Sequence, residues 1–179
     1  MTRLLPDTLQ TARLQLRAPA LADAGDLFRA YTQDPAVCRY MVWTPHRSED
    51  ETRSFMAWSV DAWAGGKTQP YVITPSGSDT PIGMIEARLQ GTTVDIGYVL
   101  AQAHWGQGLM PDAIAAITGA ALAHAGLFRV QATCDTDNIG SQRVLEKSGF
   151  TREGRLSRYT VHPNISPEPR DGFMYAKCR

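Results

Sequence analysis

Residues 95–113 read DIGYVLAQAHWGQGLMPDA, and this stretch decides the fold. Its apolar residues alternate up to Leu100, which predicts a β-strand, and they recur at helical spacing after Gly108. Glycines at positions 106 and 108 let the backbone approach a ligand closely, because no Cβ stands in the way. The unpaired N–H groups at the start of the helix, with the positive end of its dipole, then predict a site for an anion such as a pyrophosphate.

A glycine-containing turn before a helix is a weak motif by itself, because many such turns bind nothing. Two other glycine-rich phosphate loops are excluded. A Walker A loop has the pattern GxxxxGK[ST], and no lysine follows Gly108 at the required place. A dinucleotide-binding turn has the pattern GxGxxG, but Pro111 stands where its third glycine would be.

The flanking sequence predicts a single domain, residues 1–179, with a mixed α/β sheet in the order β-α-α-β-β-β-α-β-α-β-β. Ser48 and Glu51 form a capping box that starts the second helix. The predicted strands are residues 13–17, 70–74, 82–89, 93–100, 129–134, 151–161 and 173–177. The predicted helices are residues 20–31, 48–65, 109–126 and 138–148, with a loop at 162–171.

Composition narrows the functional class. The 18 basic and 18 acidic residues balance, so there is no electrostatic reason to expect nucleic acid or an anionic membrane as a partner. The three cysteines and four histidines lack metal-ligand or disulfide-framework spacing, which is typical of a reducing cytosol and predicts no metal site. No signal peptide or apolar run of about 20 residues is evident. We therefore expect a cytoplasmic protein.

A second motif, DTDNIGSQRVLEKSGF at residues 135–150, makes the interpretation specific. The stretch WGQGLM at residues 105–110 resembles the cofactor turn R/Q-x-x-G-x-G/A of the GNAT N-acetyltransferase superfamily. Asn138 and Ser141 match the N-x-x-S/A helix of that family, which ends in GF. The blocks TARLQLR, WGQGLMPDA, RVLEKSGF and EGRLSRY are similar to those of its ribosomal-protein-alanine acetyltransferase branch, often called RimJ/RimL-like. The resemblance covers nearly the whole chain.

The resemblance implies the acyl-CoA N-acyltransferase fold, a mostly antiparallel sheet flanked by helices. It implies acetyl-CoA (coenzyme A) as cofactor and direct attack by an amine. In this family the strand before the turn splays away from its neighbour, so its free backbone groups pair with the pantetheine arm and one N–H holds the developing oxyanion. The residues expected to bind the cofactor are Tyr98, Val99, Leu100, Trp105, Gly106, Gln107, Gly108, Leu109, Met110, Asn138 and Ser141.

Three residues depart from the wider family pattern. Trp105 replaces the first Arg or Gln of the turn, and Met110 replaces its final small residue. Leu145 stands where many family members carry a tyrosine thought to protonate the departing thiolate, which leaves the general acid open. Ser141 is available for that role. The alternative is that Ser141 only caps the N–H groups of its helix.

An amine attacks only when it is neutral, so a proton acceptor is expected. Asp95 is the first candidate, because the resemblance places it where some family members carry a catalytic glutamate, and Glu86 on the preceding strand is the second. Either residue is alternatively an exposed carboxylate on a strand face. Direct contact with the amine is not required, because a chain of water molecules can carry the proton.

The acceptor pocket is expected to lie between two segments. One is the aromatic stretch with Tyr40, Trp43 and His46, and the other is the loop opened by His162. The alternative is ordinary packing of surface loops. The acceptor is expected to be a protein N-terminus, a small polyamine, an amino acid or an antibiotic amine, and an acyl group larger than acetyl also remains open. A catalytically silent acyl-CoA sensor also remains open, as does a homodimer.

Overall fold

The structure, a computed structural model, describes residues 5–179, in which eight strands form one sheet. The strands are β1 (Thr8–Gln10), β2 (Leu14–Arg17), β3 (Thr68–Pro75), β4 (Gly83–Gln90), β5 (Thr93–Leu100), β6 (Arg129–Asp135), β7 (Thr151–Val161) and β8 (Pro169–Cys178). Their spatial order is β1-β2-β3-β4-β5-β6-β8-β7. Every neighbouring pair is antiparallel except β5 and β6, which are parallel. The expectation of a mostly antiparallel sheet is confirmed.

Five α-helices flank this sheet. They are α1 (Ala24–Leu27), α2 (Pro35–Cys38), α3 (Glu49–Gly65), α4 (Leu109–Ala123) and α5 (Ile139–Lys147). The cap predicted at Ser48 is present, because its hydroxyl accepts from the N–H of Glu51 at 3.4 Å. The reciprocal half of the capping box differs, since the Glu51 carboxylate accepts from the N–H of Arg47 instead. Asn138 caps α5 by accepting from the N–H of Ser141.

Three predicted elements differ clearly from the structure, while β1 and α2 were not predicted and several other strand and helix ends differ by one or two residues. The helix expected over residues 20–31 consists of a 3₁₀ turn, α1 and a π turn, and Leu21 of its expected apolar face is half exposed. Helix α4 ends at Ala123 rather than at Gly126. Strand β8 begins at Pro169, because the ladder with β7 continues to the pair Val161 and Pro169. A proline is tolerated at the first residue of a strand, where its missing N–H is not needed.

The two faces of the sheet are covered by different helices. Ile85 and Ile96 pack with Ala113, Ile114 and Ile117, the buried stripe predicted for α4. Alternate residues of a strand point to opposite faces. Accordingly Val72 and Met84 pack on the other side, in a cluster with residues of α1 and α3. No helix within residues 5–179 combines the length and apolar character needed to cross a membrane.

A gap opens in the middle of the sheet between β5 and β6. The parallel ladder has only three pairs, which run from Thr93 with Arg129 to Asp95 with Gln131. Beyond that point β5 stays paired with β4 as far as Leu100, and β6 stays paired with β8 as far as Asp135. The splay implied by the family resemblance is therefore present. It opens directly in front of the glycine turn.

Ile114→Ala is expected to lower the free energy of unfolding by about 2–5 kcal/mol, because it leaves a cavity at a fully buried position of α4. The control is Leu21→Ala, at an aliphatic residue that is 49% exposed. We expect that control to change stability by no more than about 0.5 kcal/mol. Urea denaturation followed by circular dichroism measures both. Equal losses for the two variants would contradict the assigned core.

Candidate functional site

Two cavities meet at the gap between β5 and β6. The turn-side cavity, about 700 Å³, lies between the end of β5, the glycine turn and α5. The loop-side cavity, about 380 Å³, is lined by Arg88, Asp95 and Gln131 on the opposite sheet face, by the end of β7 and the start of β8, and by His162 between them. The residues that line both cavities are Tyr40, Met41, Tyr98, Asn138 and Ser141. Ligands in the two cavities would therefore meet at these five side chains.

The glycine turn closes one end of the turn-side cavity. Gly106 and Gly108 have φ values of +74° and +75°, which L side chains rarely adopt. Gly108 precedes α4 and provides no side-chain cap, so the first N–H groups of the helix stay available. Because Pro111 has no N–H, the available donors are concentrated at residues 108–110. This arrangement suits an anion at the positive end of the helix.

Arg13 holds this turn in place, and sequence reasoning missed it. Its guanidinium donates from Nε to Asp112 Oδ2 and from Nη1 to the carbonyl of Gln107, both at 2.8 Å. Arg13 directly precedes β2, so these two hydrogen bonds connect the start of β2 to the residues before and after Gly108. The signal available in the sequence was the TARLQLR block, which accompanies the glycine turn in the resemblance.

The turn-side cavity carries a surplus of positive charge. Arg39, Arg143 and Lys147 line it, with Asp137 as the carboxylate among the lining residues. Arg143 and Lys147 are four residues apart, so they share a face of α5. Converging cations of this kind favour phosphate groups. The predicted cofactor residues line this cavity with one exception, Gln107, whose amide donates to the carbonyl of Ala103.

The end of β5 presents backbone groups to the gap. Ala101 donates its N–H to the carbonyl of Ile82 across the β4 side. Alternate residues direct their backbone groups alike in an antiparallel ladder, so Tyr98 and Leu100 direct theirs toward the gap and Val99 directs its groups toward β4. The carbonyl of Leu100 accepts from the indole N–H of Trp105 at 2.7 Å. The remaining groups fit an extended chain that contains amides.

Two hydroxyls form a pair where the cavities meet. Tyr98 Oη lies 2.7 Å from Ser141 Oγ, and the side chain that caps α5 is Asn138. Burial raises the pKa of Tyr98 well above its ordinary value, and the phenol stays protonated at neutral pH. Leu145 is fully buried in the core. Burial also raises the pKa of the neighbouring Cys134 to about 11, which keeps its thiol protonated and unreactive.

The two predicted proton acceptors share one arginine. Asp95 Oδ1 accepts from Arg88 Nε at 3.1 Å and from Nη2, and Asp95 Oδ2 accepts from the Gln131 amide at 3.3 Å. Glu86 Oε1 lies 3.4 Å from Arg88 Nη1. Asp95 lines the loop-side cavity, whereas Glu86 lines neither cavity. Their catalytic role stays a prediction.

The two predicted wall segments are in contact. The Asn164 amide donates to the carbonyl of Cys38 at 2.6 Å and to that of Trp43 at 2.8 Å. Tyr40 and His162 line the loop-side cavity, with ring centroids 6.3 Å apart. Trp43 and His46 line neither cavity. They pack against each other and against α3, where His46 Nδ1 lies 2.8 Å from Thr52 Oγ1.

An ion-pair network built on the buried carboxylate of Asp135 lies beside this wall, and sequence reasoning missed it too. Arg170 donates to both oxygens of Asp135, at 2.6 and 3.1 Å, and to Asp137 at 2.7 Å. Burial raises the pKa of Asp135, but the hydrogen bonds from Arg170 and from the N–H of Asp137 lower it more, so the pKa of that carboxyl lies below its ordinary value. Asp135 is therefore ionised at neutral pH.

Known proteins resemble the chain in sequence and in fold. The acetyltransferase (GNAT) domain model matches residues 13–151. The uncharacterized N-acetyltransferase p20 of Bacillus licheniformis is 30% identical over 156 residues, 86% of this chain and 87% of that protein. The ribosomal-protein-serine acetyltransferase of Escherichia coli K12 is 30% identical over 115 residues, 63% of each chain. The microcin C7 self-immunity acetyltransferase MccE, solved with acetyl-CoA and AMP, superposes with a TM-score of 0.85 at 22% identity over 94% of each chain.

Coenzyme A is expected to raise the melting temperature, since a ligand at 100 times its Kd stabilises the folded state by about 2.7 kcal/mol. Gly108→Asp should abolish this rise, because it adds a negative side chain at the glycine turn. Gly91→Asp is the matched control, with a φ of +61° and open space around it. Differential scanning fluorimetry with and without coenzyme A measures each shift. If coenzyme A raises the melting temperature of Gly108→Asp as much as that of the wild type, the turn does not bind the cofactor.

Proposed function

Because the chain belongs to the GNAT acetyltransferase family and is an acetyl-CoA-dependent N-acetyltransferase, we propose that its acceptor is an α-amino group at the end of a peptide or protein. The observation that carries this proposal is the loop-side cavity, which reaches Tyr98 and Ser141 from the side opposite the glycine turn. Its lining includes two exposed apolar side chains, Val42 and Tyr159, which are 69% and 53% exposed.

The size and lining of the loop-side cavity favour a chain end. At about 380 Å³ it lies near the lower limit of the roughly 300–1,000 Å³ typical of ligand pockets. A terminal residue fills such a space, and the following residues lie over Val42 and Tyr159. The similarity to a ribosomal-protein-serine acetyltransferase supports the same class of acceptor.

The pKa of the amine also favours an α-amino group as the acceptor. An α-amino group has a pKa of about 8, so about a tenth of it is neutral near pH 7, whereas a lysine side chain with a pKa of about 10.4 is neutral in roughly one molecule in 2,500. Asp95 and Glu86 are both held by Arg88. We keep them as proton acceptors that act through water, a role that an α-amine requires less than lysine does.

The turn-side cavity fits coenzyme A. We assign the pyrophosphate to the N–H groups at residues 106–110, with Arg39, Arg143 and Lys147 supplying positive charge. The backbone groups of Tyr98 and the N–H of Leu100 are assigned to the amides of the pantetheine arm, since the Leu100 carbonyl accepts from Trp105. When bound, acetyl-CoA supplies an activated acyl carbon and a sulfur leaving group.

Ser141 is assigned as the proton donor to the departing sulfur. Its hydroxyl lies where both cavities meet, and Tyr98 holds it by a 2.7 Å hydrogen bond. The protonated phenol of Tyr98 can return a proton to Ser141 Oγ after transfer, and solvent in the cavities that Tyr98 lines then reprotonates the phenol. The pair thus replaces the tyrosine that many relatives carry where this chain has Leu145.

Ser141→Ala is expected to lower kcat by about 10²-fold, the lower range for loss of a general acid. Tyr98→Phe should lower it less, and the double variant should be no slower than Ser141→Ala, because the two hydroxyls act as one unit. The exposed Ser157→Ala is the control. Release of free thiol measures kcat, and the coenzyme A melting shift confirms that the cofactor still binds. Additive losses would show that the hydroxyls act independently.

The acceptor is tested by competition between a peptide with a free N-terminus and the same peptide blocked there but carrying lysine. We expect faster acetylation of the free N-terminus, and mass spectrometry measures the rate for each peptide. Val42→Asp should raise KM for the peptide but not for spermidine, which has no apolar side chain to pack against Val42 and Tyr159 and whose positive charges tolerate a carboxylate there. Faster acetylation of the blocked peptide, or of spermidine over both, would refute the proposal.

A further inference from the structure

Arg13 reaches the glycine turn from behind, on the side away from the turn-side cavity. Its Nη1 donates to the carbonyl of Gln107 at 2.8 Å. Gly108, the next residue, lines the cavity, whereas Arg13 and Gln107 do not. Arg13 therefore contacts one end of the peptide group that joins residues 107 and 108, and the cavity lies at the other end.

The two ends of this peptide group point in opposite directions. The peptide bond is trans, so its carbonyl and its N–H lie on opposite sides of the chain. Because Arg13 binds the carbonyl of Gln107, the N–H of Gly108 points away from Arg13 and toward the cavity. No group within residues 5–179 accepts a hydrogen bond from this N–H, so it is available to a bound anion.

The glycine at position 108 allows the same peptide group to turn over. Gly108 has a φ of +75°, and glycine adopts negative φ values about as readily as positive ones. Half a rotation of the peptide group would exchange its two ends, and a carbonyl oxygen would then face the pyrophosphate. The backbone does not exclude that orientation, so a contact outside the turn has to select between the two.

A guanidinium is suited to make this selection. It carries only hydrogen-bond donors, so it stabilises the orientation that turns the Gln107 carbonyl toward it and disfavours the one that presents an N–H. The hydrogen bond is charge-assisted, which makes it stronger than one between neutral groups. By polarising the peptide group, it also makes the Gly108 N–H a better donor.

Arg13 is itself fixed at its backbone and at its side chain. Its N–H donates to Thr11 Oγ1 at 3.2 Å, and its carbonyl accepts from the N–H of Ser76 at 2.8 Å. Its Nε and Nη2 both lie 2.8 Å from Asp112 Oδ2. The side chain is 47% exposed, and ion pairs that exposed contribute little to stability. The effect of these contacts is to fix the direction of the guanidinium.

We propose that Arg13 is a positioning residue for the cofactor. It holds the peptide group between residues 107 and 108 with the Gly108 N–H toward the pyrophosphate, and it thereby sets the affinity for acetyl-CoA. Arg13 contacts neither the acyl group nor the amine. This inference rests on the assignment of the pyrophosphate to the glycine turn.

Arg13→Ala is expected to raise KM for acetyl-CoA and Kd for coenzyme A about 10-fold, the lower range for loss of a hydrogen bond to a charged group. Because the reacting atoms are untouched, kcat should stay the same. Thiol release and isothermal titration calorimetry measure these constants. Arg13→Lys keeps the charge but loses the planar fork, so its Kd should lie between those of the wild type and Arg13→Ala. Arg53→Ala, which removes another exposed ion pair, with Glu49, is the control.

A truncated substrate separates this role from a general structural one. Acetylpantetheine keeps the thioester and the pantetheine arm but lacks the pyrophosphate. Its kcat/KM should be equal in Arg13→Ala and in the wild type, because the Gly108 N–H then has no phosphate to bind. Adding Asp112→Ala to Arg13→Ala should not weaken coenzyme A binding further, since Asp112 acts by aiming Arg13.

The amide signal of Gly108 in a ¹H–¹⁵N NMR spectrum reports the peptide group directly. Its proton should shift upfield in Arg13→Ala, because the Gln107 carbonyl loses its charged partner. An unchanged Kd for coenzyme A in Arg13→Ala, or an equal loss of rate with acetylpantetheine, would overturn the inference alone. If Gly108→Asp still binds coenzyme A, the assignment of the pyrophosphate to the turn is wrong and the inference falls with it.

Discussion

The site depends on the limited pairing between β5 and β6. Parallel strands normally continue their ladder, because unpaired backbone groups in a buried position cost free energy. Here the ladder ends after Asp95 and Gln131, while β4 and β8 hold the outer edges of the two strands. The sheet therefore stays intact as the gap opens. The carbonyl of Leu100 is taken by the Trp105 indole, so the backbone groups of Tyr98 and the N–H of Leu100 are then free to bind an extended ligand.

The glycine turn can present its N–H groups to a ligand in the gap because tertiary contacts hold α4 at the end of this gap. The buried stripe of α4 packs on the sheet, and Arg13 ties Asp112 to the carbonyl of Gln107 across Gly108. Net charge is a poor guide to such a site. The chain is neutral overall, yet Arg39 and two cations of α5 converge on the turn-side cavity. The anion site is therefore a local property of the fold.

Local patterns predicted most of the elements. The strands at residues 93–100 and 151–161 have the predicted bounds, and the apolar stripe of α4 is buried as expected. The prediction failed where local preference and tertiary pairing compete. The prolines after His162 indicate a loop, but the β7 ladder extends β8 back to Pro169. The aromatic residues Trp43 and His46 pack against each other and against α3, and neither lines either cavity; their contact with the acceptor stays a prediction.

The sequence by itself determined the family, through the resemblance of several motifs to known members. It also determined most of the strands and helices and the glycine turn, because these follow from spacings within short stretches of chain. The tertiary structure alone decided which distant side chains meet. It paired Tyr98 with Ser141, placed Arg170 on Asp135, and brought His162 beside Tyr40. These contacts join residues that lie far apart in sequence, and their geometry is set by strand register and by how the loops pack. No local pattern carries that information.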